Sequence, residues 1–335
     1  MTWRDLWYEQ KTGRLRCGWR IAAFLGMALL ISFLLLLFLA LPIMPAVSDP
    51  QHIPPSVLAQ MMALLYPALL AGFVLAGCWA VRTFDRLPTY TLGLSLRGPW
   101  LPSLLASLLT GITLIALMVA ALSCSGMATI LSHALTMPAW QQWGWAATNL
   151  LFPSVLAVVM WYGYAYQTLL RSIGPLPALL LIAGLATGYL TPPNASPIMT
   201  MNTLLMSVLF GMLYLRSGSL WAPIGLHLGW TVGLLLFGLP ISGVQLVTAS
   251  PWSLACHAPS WIYDRVYGLE GGAAASIFLL SMLACVSYSR HGLSLASAWW
   301  EWRQLTSPLR LPPSWDFSIG TRCYQWKLLA RDQAE

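Results

Sequence analysis

The stretch "SLWAPIGLHLGW", residues 219–230, sets one imidazole, His227, about two helical turns inside an apolar run. An ionisable side chain within a membrane segment is read first as a functional group. Hydrolysis around such a histidine needs a base to deprotonate water and donors to meet the developing negative charge. The chain supplies little of either. Between Asp85 and Asp264 it contains no aspartate or glutamate. Glu270 is the acidic residue closest to a helix end, and the spacing places it at the opposite membrane face from the one nearest His227, which lies roughly 12 Å deep. His52, His133 and His257 fall in loops and show no metal-ligand spacing with His227. Ser217 and Ser219 in "RSGSL" invite a serine–histidine dyad, but they occupy a short turn, and Ser219 and His227 stand two turns apart on one helix.

The elements that would position these groups follow from composition. Hydrophobic residues make up 58% of the chain and charged residues 8%, against about 25% charged in soluble domains, so the chain cannot clothe a water-facing surface. Eight apolar runs lie near 21–43, 56–80, 100–123, 145–169, 175–191, 199–215, 219–239 and 272–289. Most are long enough to cross a hydrocarbon layer of about 30 Å; the fifth and sixth are short. The first is too long for a cleaved signal sequence and lacks the small-residue exit. With both termini cytosolic, Arg265 is the one basic residue of 17 that falls outside, as the excess of positive charge on inner loops requires. The net charge of +7 thus reports topology and attraction to anionic lipid, not nucleic-acid binding. Six scattered cysteines show neither CxxC nor zinc spacing. Outer loops are expected at 44–55, 124–142 and 240–271, and "SAWWEWRQL" in the tail reads as an interfacial helix.

Several fragments carry a family likeness. "GRLRCGWRIAAFL", "FDRLPTYTLGLSL", "YGYAYQTLLR", "PPNASP", "FGMLYLRSGSLWAPIGLHLGW" and "GLEGG" occur in order over about 15–290. Together they resemble the CPBP family (CAAX proteases and bacteriocin-processing enzymes, also called Abi) of intramembrane endopeptidases. The resemblance implies a core signature of EExxxR, FxxxH and HxxxN on separate helices. In it a glutamate activates water, while histidines and an asparagine orient the water or stabilise the oxyanion; some members are metal-dependent. Carried onto this chain, the family's arginine falls on Tyr162 and its glutamates on Ala157 and Val158. FxxxH falls on Leu185 and Tyr189, and HxxxN keeps His227 but has Thr231 in place of asparagine. His227 is the one signature residue matched.

The expectation is an all-α polytopic membrane protein of about eight transmembrane helices with a CPBP/CAAX-protease-like core. A basic segment at 1–20 would precede the membrane domain at 21–290, and a cytosolic, interfacial tail would follow at 291–335. The missing glutamates and first histidine make it a non-catalytic homologue that binds peptide, lipid or a partner membrane protein. No metal, cofactor or nucleic acid is implied. His227 would hydrogen-bond between helices, to Tyr162, Tyr189 or Thr231, or these residues would line a cavity that holds a peptide or lipid tail uncut. An active endopeptidase using an unrecognised or partner-supplied catalytic group is the alternative. A transporter finds little support, since paired intramembrane charges and broken helices are not evident. The setting expected is a bacterial cytoplasmic membrane.

Overall fold

Long apolar segments in lipid must satisfy their own backbone N–H and C=O groups, and a helix does so within one segment. The chain follows that rule in a computed structural model, which describes residues 7–8, 15–41, 55–96, 99–133, 137–246 and 250–288. The helices are α1 (Cys17–Ala40), α2 (Pro55–Ala80), α3 (Trp100–Cys124), α4 (Met137–Tyr162), α5 (Tyr164–Ile173), α6 (Pro175–Leu190), α7 (Pro197–Ser217), α8 (Trp221–Leu236) and α9 (Ala273–Tyr288). Each of the eight apolar runs coincides with helix. Five spans, one of them α4 and α5 read through as Gln142–Ile173, are long and apolar enough to cross a membrane; α6, α8 and α9 are shorter apolar helices. The protein is therefore an all-α polytopic membrane protein. The sixth run proves longer than expected, at 21 residues. The seventh is shorter, because α8 stops at Leu236 and Gly238 turns the chain with φ +60°.

Two departures from plain helices shape the bundle. The fourth span breaks at Gly163, where φ −73° and ψ −124° separate α4 from α5. A Cβ there would collide with the carbonyl of Val159, so the bend needs glycine. At the far end of α2 the helix widens into a π turn, Val81–Asp85, and ends on Arg86 with φ 56°.

Helices α3 and α8 pack at backbone contact. Gly225, Gly229 and Gly233, four residues apart along α8, face α3. Side chains at Gly225 and Gly229 would strike the carbonyls of Leu104 and Leu108, and one at Gly233 would lie 2.8 Å from the Ile115 Cβ. Gly111 of α3 returns the same fit, 2.5 Å from the Leu226 carbonyl. Small residues that let backbones approach are the usual means of helix association in lipid, where no hydrophobic drive operates between helices.

The loops expected at 124–142 and 240–271 are not purely irregular. They contribute β1 (Ala128–Ser132) and β2 (Trp252–Cys256), paired antiparallel from Ala128 opposite Cys256 to Ser132 opposite Trp252. His133 and Ser253 extend the pairing through a 2.7 Å Nε2–Oγ hydrogen bond. Of the basic N-terminal segment, Trp7 stacks on Trp19 with ring centres 4.1 Å apart. The loop at 44–54, with His52, and the tail at 291–335, with "SAWWEWRQL", lie outside the described residues.

Candidate functional site

His227 sits midway along α8, partly exposed, between α4 and α7. A carbonyl oxygen only accepts, so its 3.1 Å contact with the Ser154 carbonyl of α4 requires a proton on Nδ1, and in the neutral ring Nε2 then carries the lone pair. Ser154 is itself buried. The other side of the imidazole meets the Phe210 ring of α7 at 5.2 Å between centres.

Phe210 begins a column of rings. Tyr162 follows at 6.2 Å, Tyr166 at 5.6 Å from Tyr162, and Tyr214 at 5.7 Å from Tyr166. Tyr162 stands where the resemblance puts the family's arginine. It is 1% exposed, and its hydroxyl donates to the Ser207 carbonyl of α7 at 2.5 Å. Edge-on packing of this kind fills the interior between α4, α5 and α7 with aromatic carbon.

The remaining residues singled out in the sequence do not join His227. Tyr189 is 69% exposed at the end of α6 and packs against Trp161. Thr231 is buried, and its hydroxyl donates back along its own helix to the His227 and Leu228 carbonyls, at 3.2 and 3.0 Å. Ala157 and Val158 carry no donor or acceptor in their side chains. Ser217 and Ser219 serve the α7–α8 turn: Ser217 Oγ donates to the Leu213 carbonyl, and Ser219 Oγ lies 3.3 Å from the Gly93 carbonyl.

Both carboxyl groups nearest the question have other partners. Asp85 is buried and held by two guanidinium groups, Arg20 of α1 at 2.7 Å and Arg171 of α5 at 3.2 Å. Glu270, in the turn before α9, accepts from Trp230 Nε1 at 2.9 Å and from the Ser242 backbone N–H at 2.6 Å. Trp230 is one helical turn from His227, yet among the described residues neither carboxylate makes a hydrogen bond or ion pair with the imidazole. Loss of water raises the Glu270 pKa above the ordinary glutamate value, and its two N–H donors oppose that rise.

Three features here were not read from the sequence. The glycine stripe of α8 was legible as three glycines at four-residue spacing. The Arg20–Asp85–Arg171 cluster had a weaker signal, since each residue lies in a fragment that carries the family likeness. Asn202 had none. It fixes the Glu270 turn by donating to the Glu270 and Gly272 carbonyls at 2.7 and 2.9 Å, while its Oδ1 accepts from Ser276 of α9 at 2.6 Å.

A metal-dependent variant of the family chemistry has no donor set at this place. The one imidazole offers Nε2 alone, and the equivalent positions hold Ala157, Val158, Tyr189 and Thr231. Among the described residues no three His, Cys, Asp or Glu side chains gather into a possible metal site.

Comparison with known families supplies one match. Residues 138–233, from α4 through most of α8, match the family described as Type II CAAX prenyl endopeptidase Rce1-like. The matched segment contains Tyr162, Tyr189, His227 and Thr231. Comparisons with curated proteins and with solved structures find no match.

Proposed function

We propose that this chain, a membrane protein of the CAAX-protease family, acts by binding and not by hydrolysis. One observation carries the reading: the imidazole of His227 faces a backbone carbonyl and a phenyl ring, and among the described residues no carboxylate bonds to it. Among the described residues, no second group makes a hydrogen bond to Nε2 that could share a water's proton or stabilise an oxyanion. Tyrosine in place of arginine, and alanine and valine in place of glutamates, also remove the cost of burying unpaired charge.

The ligand class that suits such a homologue is a peptide, a lipid or a partner membrane protein. It would be held in a bacterial cytoplasmic membrane with both termini in the cytosol and residues 291–335 as a cytosolic tail. Arg20 and Arg171 then lie at the cytosolic end and the β1–β2 sheet at the outer one, in keeping with the distribution of basic residues.

The test is direct. The purified protein in lipid nanodiscs is incubated with prenylated CAAX-type peptides and transmembrane peptides, and products are followed by mass spectrometry. Intact peptides, with a membrane protein recovered alongside the chain from native membranes, are the expected result. Specific cleavage that disappears in His227→Ala overturns the proposal and favours the active-endopeptidase reading. Cleavage that appears only with a co-purified partner identifies a partner-supplied catalytic group.

A further inference from the structure

We infer that Glu270 is a pH-responsive latch that fastens the turn at Ile241–Val244 to the helical bundle when its carboxyl is ionised and frees it when protonated. This inference is independent of whether the chain hydrolyses peptides.

The geometry carries the argument. The backbone of Glu270 is fixed through its carbonyl to Asn202 of α7, and Asn202 is tied in turn to Ser276 of α9. From that anchored position the two carboxylate oxygens reach different elements: Oε1 accepts from Trp230 of α8 and Oε2 from the backbone N–H of Ser242. Glu270 therefore links α8 and a surface turn through its carboxylate, and α7 through its backbone carbonyl. The turn needs a fastening. Ser242 holds φ 49°, the left-handed region that side chains other than glycine seldom adopt. Ile241 and Val244 close the turn by exchanging backbone hydrogen bonds at 2.9 and 3.0 Å.

Both partners of the carboxyl are donors and neither can accept. A proton arriving from solvent removes the negative charge, so both N–H contacts lose the strength that a charged acceptor gives them. Trp230 is 3% exposed and wedged in the bundle, whereas Ser242 is at the surface. Ser242 is the partner that leaves.

The surroundings leave the titration to Glu270. Across the interface, α7 presents Asn202, α8 Trp230, α9 Ser276 and the turn Ser242, none of them charged. The preceding loop carries Tyr263, Asp264, Arg265 and Tyr267. Burial pushes the Tyr263 hydroxyl up to about 12, so it stays neutral. The Asp264 carboxylate is occupied by the Val266 and Tyr267 backbone N–H groups at 2.7 and 2.8 Å. Arg265 is exposed and, among the described residues, makes no ion pair with Glu270. Loss of water around the carboxyl raises its pKa above the ordinary glutamate value, and the two N–H donors oppose the rise.

The experiment uses the full chain in nanodiscs, labelled with fluorotryptophan, with the Trp230 resonance assigned by its loss in Trp230→Phe. The fluorine shift of Trp230, and the hydrogen-exchange protection of the Ser242 amide corrected for intrinsic exchange, are followed from about pH 8 to about pH 5. The expected result is a shared midpoint above that of an exposed glutamate, with Ser242 protection lost on the acid side. In Glu270→Gln the protection should be lost across the range and the titration should vanish. In Trp230→Phe, which takes one donor from the carboxylate, the Ser242 midpoint should move up. Flat wild-type traces overturn the inference even if Glu270→Gln does not fold. A titration that persists in Glu270→Gln, or a midpoint unmoved in Trp230→Phe, overturns it too.

Discussion

Nδ1 of His227 lies 3.1 Å from the carbonyl oxygen of Ser154, so this imidazole is tied to the backbone of α4 and, among the described residues, not to an acid. The interaction is a single neutral hydrogen bond between helices. Such bonds contribute about 0.6 kcal/mol on average in membrane proteins. His227→Phe should therefore destabilise the chain by no more than about 1 kcal/mol, since the new ring can pack on Phe210 in place of the imidazole. Thermal or detergent-induced unfolding checks this, and a loss several times larger would mean that the imidazole has partners beyond Ser154 and Phe210.

The contact between α3 and α8 makes a sharper demand. Gly229→Val should destabilise by at least about 1–3 kcal/mol, the usual range for forcing extra carbon into a packed interior. Its first new atom meets the Leu108 carbonyl, which belongs to backbone and cannot rotate away. Gly26→Ala in α1 is the control, because nothing lies within 4 Å of its added Cβ. There the gain in helix propensity, about 0.5–1 kcal/mol, should appear as a small stabilisation. Paired unfolding curves of the two variants test the packing.

Asp85 sits between two arginines, and its neutral isostere should be costly. Asp85→Asn leaves Arg20 and Arg171 facing each other without the anion, a change that costs about 3–5 kcal/mol when an ion pair is buried. The two arginines are 11% and 13% exposed at the side chain, so water reduces the loss towards the lower figure. A double-mutant cycle with Arg20→Gln should recover part of the stability. Strict additivity in that cycle would count against the pairing.

The stability–pH profile has a definite sign. The folded chain holds the Glu270 pKa above its ordinary value of 4.5, so over that interval the folded state binds a proton that the unfolded state does not. The stability this group contributes is full below the ordinary value and is lost as pH rises through the raised folded pKa. Unfolding temperature should therefore fall with rising pH across the window, and Glu270→Gln should flatten this component. The neutral acid suits the desolvated site better, although it holds its two N–H partners less strongly; overall stability and the local fastening of Ser242 move in opposite directions. A profile that rises through the same window, with the slope removed in Glu270→Gln, would reverse the assignment.

Helix placement was the most legible part of the chain, because lipid leaves an apolar run few alternatives to helix. The break at Gly163 was hidden, since hydropathy continues smoothly from α4 into α5 and a one-residue bend leaves no trace in an average. Strands β1 and β2 were hidden as well: 128–132 and 252–256 lie in loops that read as irregular, and their pairing is a long-range event. At the site, the lack of any Asp or Glu between Asp85 and Asp264 could be read directly, whereas the partner of His227 could not. Ser154 contributes a main-chain oxygen, a group every residue possesses. The same holds for Glu270, whose bond to Trp230 depends on a turn fixed by Asn202, 68 residues away.

The two-stranded sheet carries a consequence for biogenesis. Ala128–Ser132 emerges from the ribosome long before Trp252–Cys256, and two of the five long spans and the shorter apolar helices α6 and α8 lie between them. The earlier strand waits with its pairing edge unsatisfied until the later one is made, so the pairing closes only after the intervening helices have been synthesised. Chains halted before residue 252 would leave that edge open.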